Sequence, residues 1–230
     1  MLKDNLRDIL SEISLGNNLG EKITLVGATK TIPYQDINDA ISLGLEVVAE
    51  NRVQEFREKT DFINKSASQH FIGHLQTNKV KYLVGKVDLI HSVDSIRLAQ
   101  EISKQAKKIN TTQNILIEVN IGGELSKSGF TIENTIDSAI EISKLENINI
   151  MGLMAMLPKS QDKQYLAQLT IKMRDVFDKL NAKNFKLKYL SIGMSGDYKI
   201  AIKNGSNMIR LGSIIFGKRD YNGDKKNGNI

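Results

Sequence analysis

Residues 23–33 read ITLVGATKTIP, a short apolar run that ends in a lysine and a proline-containing turn. Apolar residues then recur at helical spacing over residues 37–43. An apolar strand followed by a helix is the repeating unit of parallel α/β folds. The same unit recurs along the chain, so this stretch and its copies decide the fold class.

Seven more strand-like runs follow the first one. Helical patterns lie between most of them, and an extra amphipathic helix, Leu2–Ile13, precedes the first strand. Eight such units in about 200–250 residues predict an α/β protein, a single (β/α)8 TIM barrel with an extra N-terminal helix. An open doubly wound sheet is the alternative, but no G-x-G-x-x-G follows any strand to support its dinucleotide-binding form. The further strand-like runs are 45–49, 69–72, 87–90, 115–120, 148–156, 189–193 and 208–211, and the further helical patterns are 95–108, 132–145 and 164–180.

Composition narrows the possible partners. The chain has no Cys, which excludes disulfides, thiolate metal sites and a Cys nucleophile. The net charge is +6, but the 32 basic residues are interspersed among 26 acidic ones and aromatic residues are few. No apolar run approaches the ~18 residues of a membrane span. We therefore expect neither a nucleic-acid nor a membrane partner.

The chain reads as one domain. It contains no Pro/Gly/Ser-rich linker and only two prolines, Pro33 and Pro158. We predict a single domain over residues 1–217, followed by a polar, flexible tail over 218–230. The N-terminus shows no export signal, and the lack of Cys suits a reducing compartment, so we expect a cytoplasmic location.

Polar residues gather at the predicted strand ends. Active sites of (β/α)8 barrels lie at the carboxyl ends of the strands, so these residues are the first candidates for function. Segments far apart in the sequence thus place polar groups at the same end of the predicted barrel, which we call its mouth. The candidates are Lys30, Glu50, Asn51, Arg52, His74, His91, Glu118, Asn120, Met194, Ser195, Asp197, Arg210 and Ser213.

Lys30 stands out among them. A lysine after a strand is usually a solvated surface residue, but Lys30 emerges directly from the apolar run 25–28. An apolar surrounding favours the neutral amine. A neutral amine is the form that attacks an aldehyde to give a Schiff base.

The last two strand ends suggest a phosphate site. Residues 194–197 read MSGD and residues 210–213 read RLGS. Either turn alone is common loop chemistry. Together they offer backbone N–H groups and hydroxyls where this class of barrel usually holds a phosphate.

Two of the histidines have a spacing that occurs in metal sites. His70 and His74 have the spacing of two ligands on a helix, but residues 71–73 between them read as strand and turn. The two rings should then point in different directions, so we predict no metal site. We expect His70 to be a structural core residue, and His74 is a candidate for the pocket lining.

Several blocks together resemble a known family. They run in order over nearly the whole chain and resemble the YggS/PROSC family of pyridoxal phosphate homeostasis proteins. The blocks are ATKTIP (28–33), ENRVQE (50–55), HFIGHLQTNK (70–79), HSVDS (91–95), VNI (119–121), SKSG (126–129), GLMAM (152–156), SGD (195–197) and RLGSIIFG (210–217).

The resemblance implies a monomeric barrel related to the N-terminal domain of bacterial alanine racemase, with pyridoxal 5′-phosphate (PLP) as cofactor. Lys30 falls on the Schiff-base lysine, and Arg210 falls where a guanidinium faces the pyridine nitrogen. Residues 195–196 and 212–213 fall where the family holds the phosphate, and Asn51 falls in its pocket block. The predicted cofactor-binding residues are Lys30, Asn51, His74, Met194, Ser195, Gly196, Arg210, Gly212 and Ser213.

Arg210 bears on the expected activity. An arginine stays charged and cannot accept a proton, so it should hold the ring nitrogen unprotonated and weaken the ring as an electron sink. We therefore predict a PLP carrier for storage or delivery, with PLP-dependent apo-enzymes or amino acids as candidate recipients and no assigned catalytic residue. The rival is a PLP-dependent amino-acid racemase or lyase, which needs an acid/base group opposite Lys30, His74 being the nearest candidate. A third reading is a regulatory module that binds another protein according to its PLP state.

Overall fold

The computed structural model describes residues 1–124 and 127–217, so the predicted tail over 218–230 lies outside the described residues. Strands and helices alternate along the chain. The strands are β1 (Thr24–Ala28), β2 (Val47–Glu50), β3 (Ser68–Phe71), β4 (Leu89–Val93), β5 (Gln113–Asn120), β6 (Phe130–Thr131), β7 (Ile148–Ala155), β8 (Tyr189–Ser191) and β9 (Met208–Leu211). The α-helices are α1 (Leu2–Ile13), α2 (Tyr34–Ser42), α3 (Val53–Lys59), α4 (Ile96–Lys108), α5 (Thr135–Ile142), α6 (Lys163–Ala182), α7 (Tyr198–Lys203) and α8 (Ser213–Phe216).

Eight of the strands close into a parallel barrel. β1 pairs with both β2 and β9, and β4 pairs with β5, so the sheet has no open edge between its first and last strands. The two-residue strand β6 adds to the end of β5. The TIM barrel and its extra N-terminal helix are confirmed, and the open sheet is wrong. Because all eight barrel strands are parallel, their carboxyl ends meet at one mouth.

Local signals start the longest helices. The Ser95 hydroxyl accepts a hydrogen bond from the Leu98 N–H at the start of α4, and Asp162 caps the first turn of α6 in the same way. The third unit departs from the pattern, because a 3₁₀ helix, Thr77–Tyr82, follows β3 in place of an α-helix. Val80 and Leu83 are fully buried there, so one tight turn covers the barrel wall between β3 and β4.

The barrel interior has an apolar layer and a polar layer. Apolar side chains from six strands form one buried cluster that includes Val26, Leu116 and Met208. Side chains two residues further along a strand point to the same face, one step nearer the carboxyl end. Those positions are polar. They hold His91 after Leu89, Glu118 after Leu116, Ser191 after Tyr189 and Arg210 after Met208, all buried.

No helix in the described parts of the chain combines the length and apolarity that crossing a bilayer requires.

Candidate functional site

Arg210 is the best-anchored residue of the polar layer. Its Nη1 donates to the Ser191 carbonyl oxygen at 2.8 Å and to Ser191 Oγ at 2.6 Å, and its Nη2 donates to the Ala155 carbonyl oxygen at 3.1 Å. Burial lowers the pKa of Arg210 to about 10, which still leaves the guanidinium charged at neutral pH. Bonds to the ends of two other strands thus fix a buried cation just below the mouth.

A histidine pair extends this network across the barrel. His91 Nδ1 lies 3.4 Å from Ser191 Oγ, and His91 Nε2 lies 3.0 Å from His70 Nδ1. Burial lowers the pKa of His70 to about 4, and burial, together with repulsion from His70 and Arg210, keeps the pKa of His91 well below its usual value. Both rings are therefore neutral at physiological pH and serve as hydrogen-bonding spacers. This confirms His70 as a structural core residue.

Glu118 carries the most perturbed carboxyl group of the mouth. It lies on β5, is only 5% exposed, and its pKa is raised to about 7 by burial and by the nearby charge of Asp94. The charges of Arg210 and His74 act in the opposite direction. Glu118 therefore takes up and releases a proton near neutral pH, whereas a solvated glutamate stays ionised.

Lys30 follows the carboxyl end of β1 and is half-buried. It occupies a central position of a tight turn in which the Ile32 N–H donates to the Thr29 carbonyl oxygen at 3.0 Å. The next residue, Thr31, has a φ of 65°, which is rare for a β-branched residue. Lys30 thus sits in a strained, closely held turn at the mouth.

The turns after β8 and β9 meet through their serines. Ser213 Oγ donates to Ser195 Oγ at 3.2 Å, and a Cβ added at Gly196 would have open space around it. In the described chain, the N–H groups of Ser195, Gly196, Gly212 and Ser213 donate to no protein acceptor. Two hydroxyls and four free N–H groups at one place suit the oxygens of a phosphate, which accept hydrogen bonds only.

Asn51 and His74 line a cavity of about 650 Å³ on the other side of the mouth. The loops that carry them pack tightly, since a Cβ on Gly73 would lie 1.9 Å from the Asn51 carbonyl oxygen. The His74 ring is 62% exposed and lies 3.4 Å from an Asp94 carboxylate oxygen. The same cavity is lined by the cations of Arg52, Arg57 and Lys79 and by Tyr82.

The predicted cofactor residues all lie at or just past the carboxyl ends of β1, β2, β3, β8 and β9. The structure brings Ser195 to Ser213, and Asn51 to His74. That all nine surround a single ligand stays a prediction. As the strand-and-turn pattern suggested, His70 points into the barrel and His74 to the rim. Within the described residues, no three His, Asp or Glu side chains gather as metal ligands would.

Sequence reasoning missed two groups of residues. It noted Glu50 only as a strand end, quoted Glu55 only within the block 50–55, and passed over Lys59, which pairs with both carboxylates beside the Lys30 turn. It also gave no role to Ser191, which holds Arg210 and faces His91. The period-two spacing of Ser191 behind Tyr189 was an available signal for the second group. In the first group, the i,i+4 spacing of Glu55 and Lys59 on one helix was a local signal, but their meeting with Glu50 and Thr29 depends on the fold.

Comparison with known proteins agrees with this geometry. Residues 35–220 match the model of the alanine racemase N-terminal domain family, a match that begins five residues after Lys30. The chain is 44% identical over 199 residues to a pyridoxal phosphate homeostasis protein of Aquifex aeolicus, covering 86% of this chain and 87% of that protein. A protein of the same name from Escherichia coli K12 is 34% identical over 207 residues, 87% of this chain and 88% of that one.

Solved structures show the same barrel. PipY of Synechococcus elongatus, solved with PLP bound, superposes with a TM-score of 0.83 at 27% identity, covering 94% of this chain and all of that one. An alanine racemase of Clostridium difficile superposes with a TM-score of 0.75 at 22% identity, covering 95% of this chain and 61% of that one. The second likeness shows the fold alone.

Proposed function

This chain belongs to the family of pyridoxal phosphate homeostasis proteins, and from that premise we propose that it binds PLP as a Schiff base on Lys30, for storage or delivery. The observation that carries the proposal is the Ser195–Ser213 pair at the same barrel mouth as Lys30, with four N–H groups that have no acceptor among the described residues. PLP brings an aldehyde for a lysine and a phosphate for such a cradle.

The phosphate accounts for the turns after β8 and β9. It carries about −1.5 to −2 charges at neutral pH and three acceptor oxygens. The hydroxyls of Ser195 and Ser213 and the free N–H groups beside them can each donate to those oxygens. These turns would therefore hold the phosphate without any covalent bond.

Lys30 supplies the covalent bond. Its unprotonated amine adds to the aldehyde carbon, a C=N bond replaces C=O, and one water molecule leaves. The reverse reaction, or exchange with another amine, frees the cofactor. A bond of this kind suits storage because it forms and breaks without any oxidant or reductant.

Arg210 supports a carrier over an enzyme. Its guanidinium is charged and pinned by three hydrogen bonds, so it cannot move away or give up its charge easily. Opposite the ring nitrogen it would keep that nitrogen unprotonated, which weakens the electron withdrawal that racemases and lyases use. We propose that PLP-dependent apo-enzymes or free amino acids receive the cofactor. We also propose that the protein works as a monomer in the cytoplasm.

A racemase or lyase is the second candidate, and Glu118 is the observation that favours it. Its pKa of about 7 suits proton transfer at neutral pH. His74, the earlier candidate for this role, is exposed and paired with Asp94. Chiral analysis of alanine after long incubation with PLP-loaded protein separates the two functions. The carrier predicts no racemisation above that of free PLP.

Absorbance spectroscopy with borohydride reduction tests the covalent claim. Purified protein mixed with PLP should show a Schiff-base band that reduction removes, leaving the mass of reduced PLP on the peptide that contains Lys30. Lys22→Arg offers a chemically similar reference, because it removes an exposed amine and spares Lys30. The proposal is wrong if the label lies on another lysine or is spread over many.

A further inference from the structure

The turn that carries Lys30 adopts a conformation that its own residues disfavour. Lys30 and Thr31 are its central residues, closed by the hydrogen bond from the Ile32 N–H to the Thr29 carbonyl oxygen. Thr31, at φ 65°, stands where such turns usually have glycine or asparagine. Contacts from outside the turn must therefore hold it in place.

Those contacts come from β2 and α3. The Thr29 N–H donates to the Ala49 carbonyl oxygen at 2.9 Å. The Thr29 hydroxyl donates to Glu50 Oε1 at 2.7 Å and lies 3.0 Å from the same Ala49 oxygen. On the other side of Lys30, the Thr31 N–H donates to Glu55 Oε2 at 2.8 Å. Both residues that flank Lys30 are thus bound by carboxylates.

A second lysine joins these carboxylates. Lys59 Nζ donates to Glu50 Oε1 at 2.9 Å, to Glu55 Oε2 at 3.0 Å and to the Thr29 carbonyl oxygen at 3.2 Å. Three bonds use every donor of the ammonium group. The Lys59 side chain is only 15% exposed. One largely covered cation therefore ties Glu50, Glu55 and the Lys30 turn together.

Simple packing does not require such a cluster. Burying an ammonium and two carboxylates costs desolvation energy that an apolar side chain of similar size avoids. Burial raises the pKa of Glu50, while Lys59 and Thr29 oppose that rise. Removing Lys59 would take a donor away from both Glu50 Oε1 and Glu55 Oε2. The other oxygen of Glu50, Oε2, already has no hydrogen-bond partner within the described part of the chain.

We propose that Glu50, Glu55 and Lys59 are positioning residues for Lys30. They hold the strained turn so that the Lys30 amine meets the aldehyde of a phosphate-bound PLP in a reactive geometry. Reactions between held groups lose speed steeply when one group is displaced by as little as 1 Å. The proposal rests on the proposed function, and it assigns the cluster no contact with the cofactor.

Lys59→Met tests this proposal, with Lys22→Met as the matched control. Lys22 is a lysine whose side chain is 86% exposed and whose one ion pair among the described residues, to Glu46, spans 3.8 Å. Glu55→Gln is the milder second variant, because an amide oxygen can still accept from the Thr31 N–H. The readout is the rate at which bound PLP becomes trappable by borohydride on the Lys30 peptide, measured on protein whose thermal unfolding is recorded in parallel.

We expect Lys59→Met to slow trapping at least tenfold, Glu55→Gln to slow it about threefold, and Lys22→Met to leave it unchanged. Lys59→Arg, which keeps the charge, should restore part of the rate. A second measurement, of noncovalent PLP affinity, separates positioning of Lys30 from general weakening of the fold. In the Lys30→Ala background, adding Lys59→Met should leave noncovalent PLP affinity unchanged.

The outcomes separate this proposal from the proposed function. Trapping on Lys30 in wild type with an unaltered rate in Lys59→Met overturns the positioning role alone. A fall in noncovalent affinity in the Lys30→Ala background would show a merely structural role. No trapping on Lys30 in wild type overturns the proposed function itself.

Discussion

The two sides of the barrel mouth are built in opposite ways. Around Lys30, the polar groups are nearly all bonded to one another, through Thr29, Glu50, Glu55 and Lys59. Around Ser195 and Ser213, Gly196 and Ser213 are exposed and Ser195 is half-buried, and among the described residues four N–H groups have no protein acceptor.

This difference separates two tasks. A covalent bond needs one atom held in one place, so the protein uses its own hydrogen bonds to fix the backbone that carries it. A noncovalent phosphate needs donors that are still free, because a donor already satisfied gains little from a ligand. The Lys30 side is thus held in place by its own hydrogen bonds, and the serine side keeps its donors for a ligand.

The largest expected effect comes from removing the covalent side. Lys30→Ala should abolish borohydride-trapped PLP completely. It should keep weak, reversible PLP binding, since the serine turns remain intact. Titration calorimetry and dialysis measure that binding. If this variant binds no PLP at all, the two sides do not act separately.

The converse change removes the serine hydroxyls. Ser195→Ala with Ser213→Ala loses two charge-assisted hydrogen bonds, each worth roughly 1.5–3 kcal/mol. PLP affinity should fall about a hundredfold or more, while Lys30 is still trapped at high PLP concentration. Equilibrium dialysis with and without borohydride compares the two effects. Affinity equal to wild type would mean that the phosphate binds elsewhere.

Two variants, Gly73→Ala and Gly196→Ala, test how tightly each side is packed. Gly73→Ala places a Cβ 1.9 Å from the Asn51 carbonyl oxygen, whereas a Cβ at Gly196 meets nothing within 4 Å. Overpacking should cost the first variant roughly 1–3 kcal/mol of unfolding free energy. The second should stay within about 0.5 kcal/mol of wild type. Urea unfolding of the ligand-free proteins measures both, and equal losses would contradict the contrast.

The smallest effect concerns Glu118, whose pKa is raised by burial and by the nearby charge of Asp94. Its pKa is about 7 in the folded protein and lower when unfolded, so the folded state binds the proton more tightly. Folding stability from this group therefore falls as pH rises. Between pH 6 and 8, wild type should lose about 1 kcal/mol relative to Glu118→Gln. Urea unfolding of both proteins at pH 6, 7 and 8 gives that difference, and a constant gap would show an unperturbed carboxyl.

The sequence alone determined the barrel and the place of its mouth. Strand and helix periodicities are local, because each strand buries side chains against its own neighbours, and eight repeats leave few ways to close the sheet. The N-terminal helix follows from the same kind of pattern and has the predicted bounds, Leu2–Ile13. Lys30 and Ser195 were found for the same reason, since the residue after a buried strand can be read from the run before it.

Only the tertiary structure decided which polar groups meet. Lys59 reaches Thr29 across 30 positions of sequence, and Ser191 reaches His91 across 100. No local pattern encodes such pairs. The pKa of Glu118 near 7 likewise comes from burial and from charges on other strands. Burial and long-range pairing depend on how the whole chain packs, so the candidate residues could be read from the sequence while their partners and charge states could not.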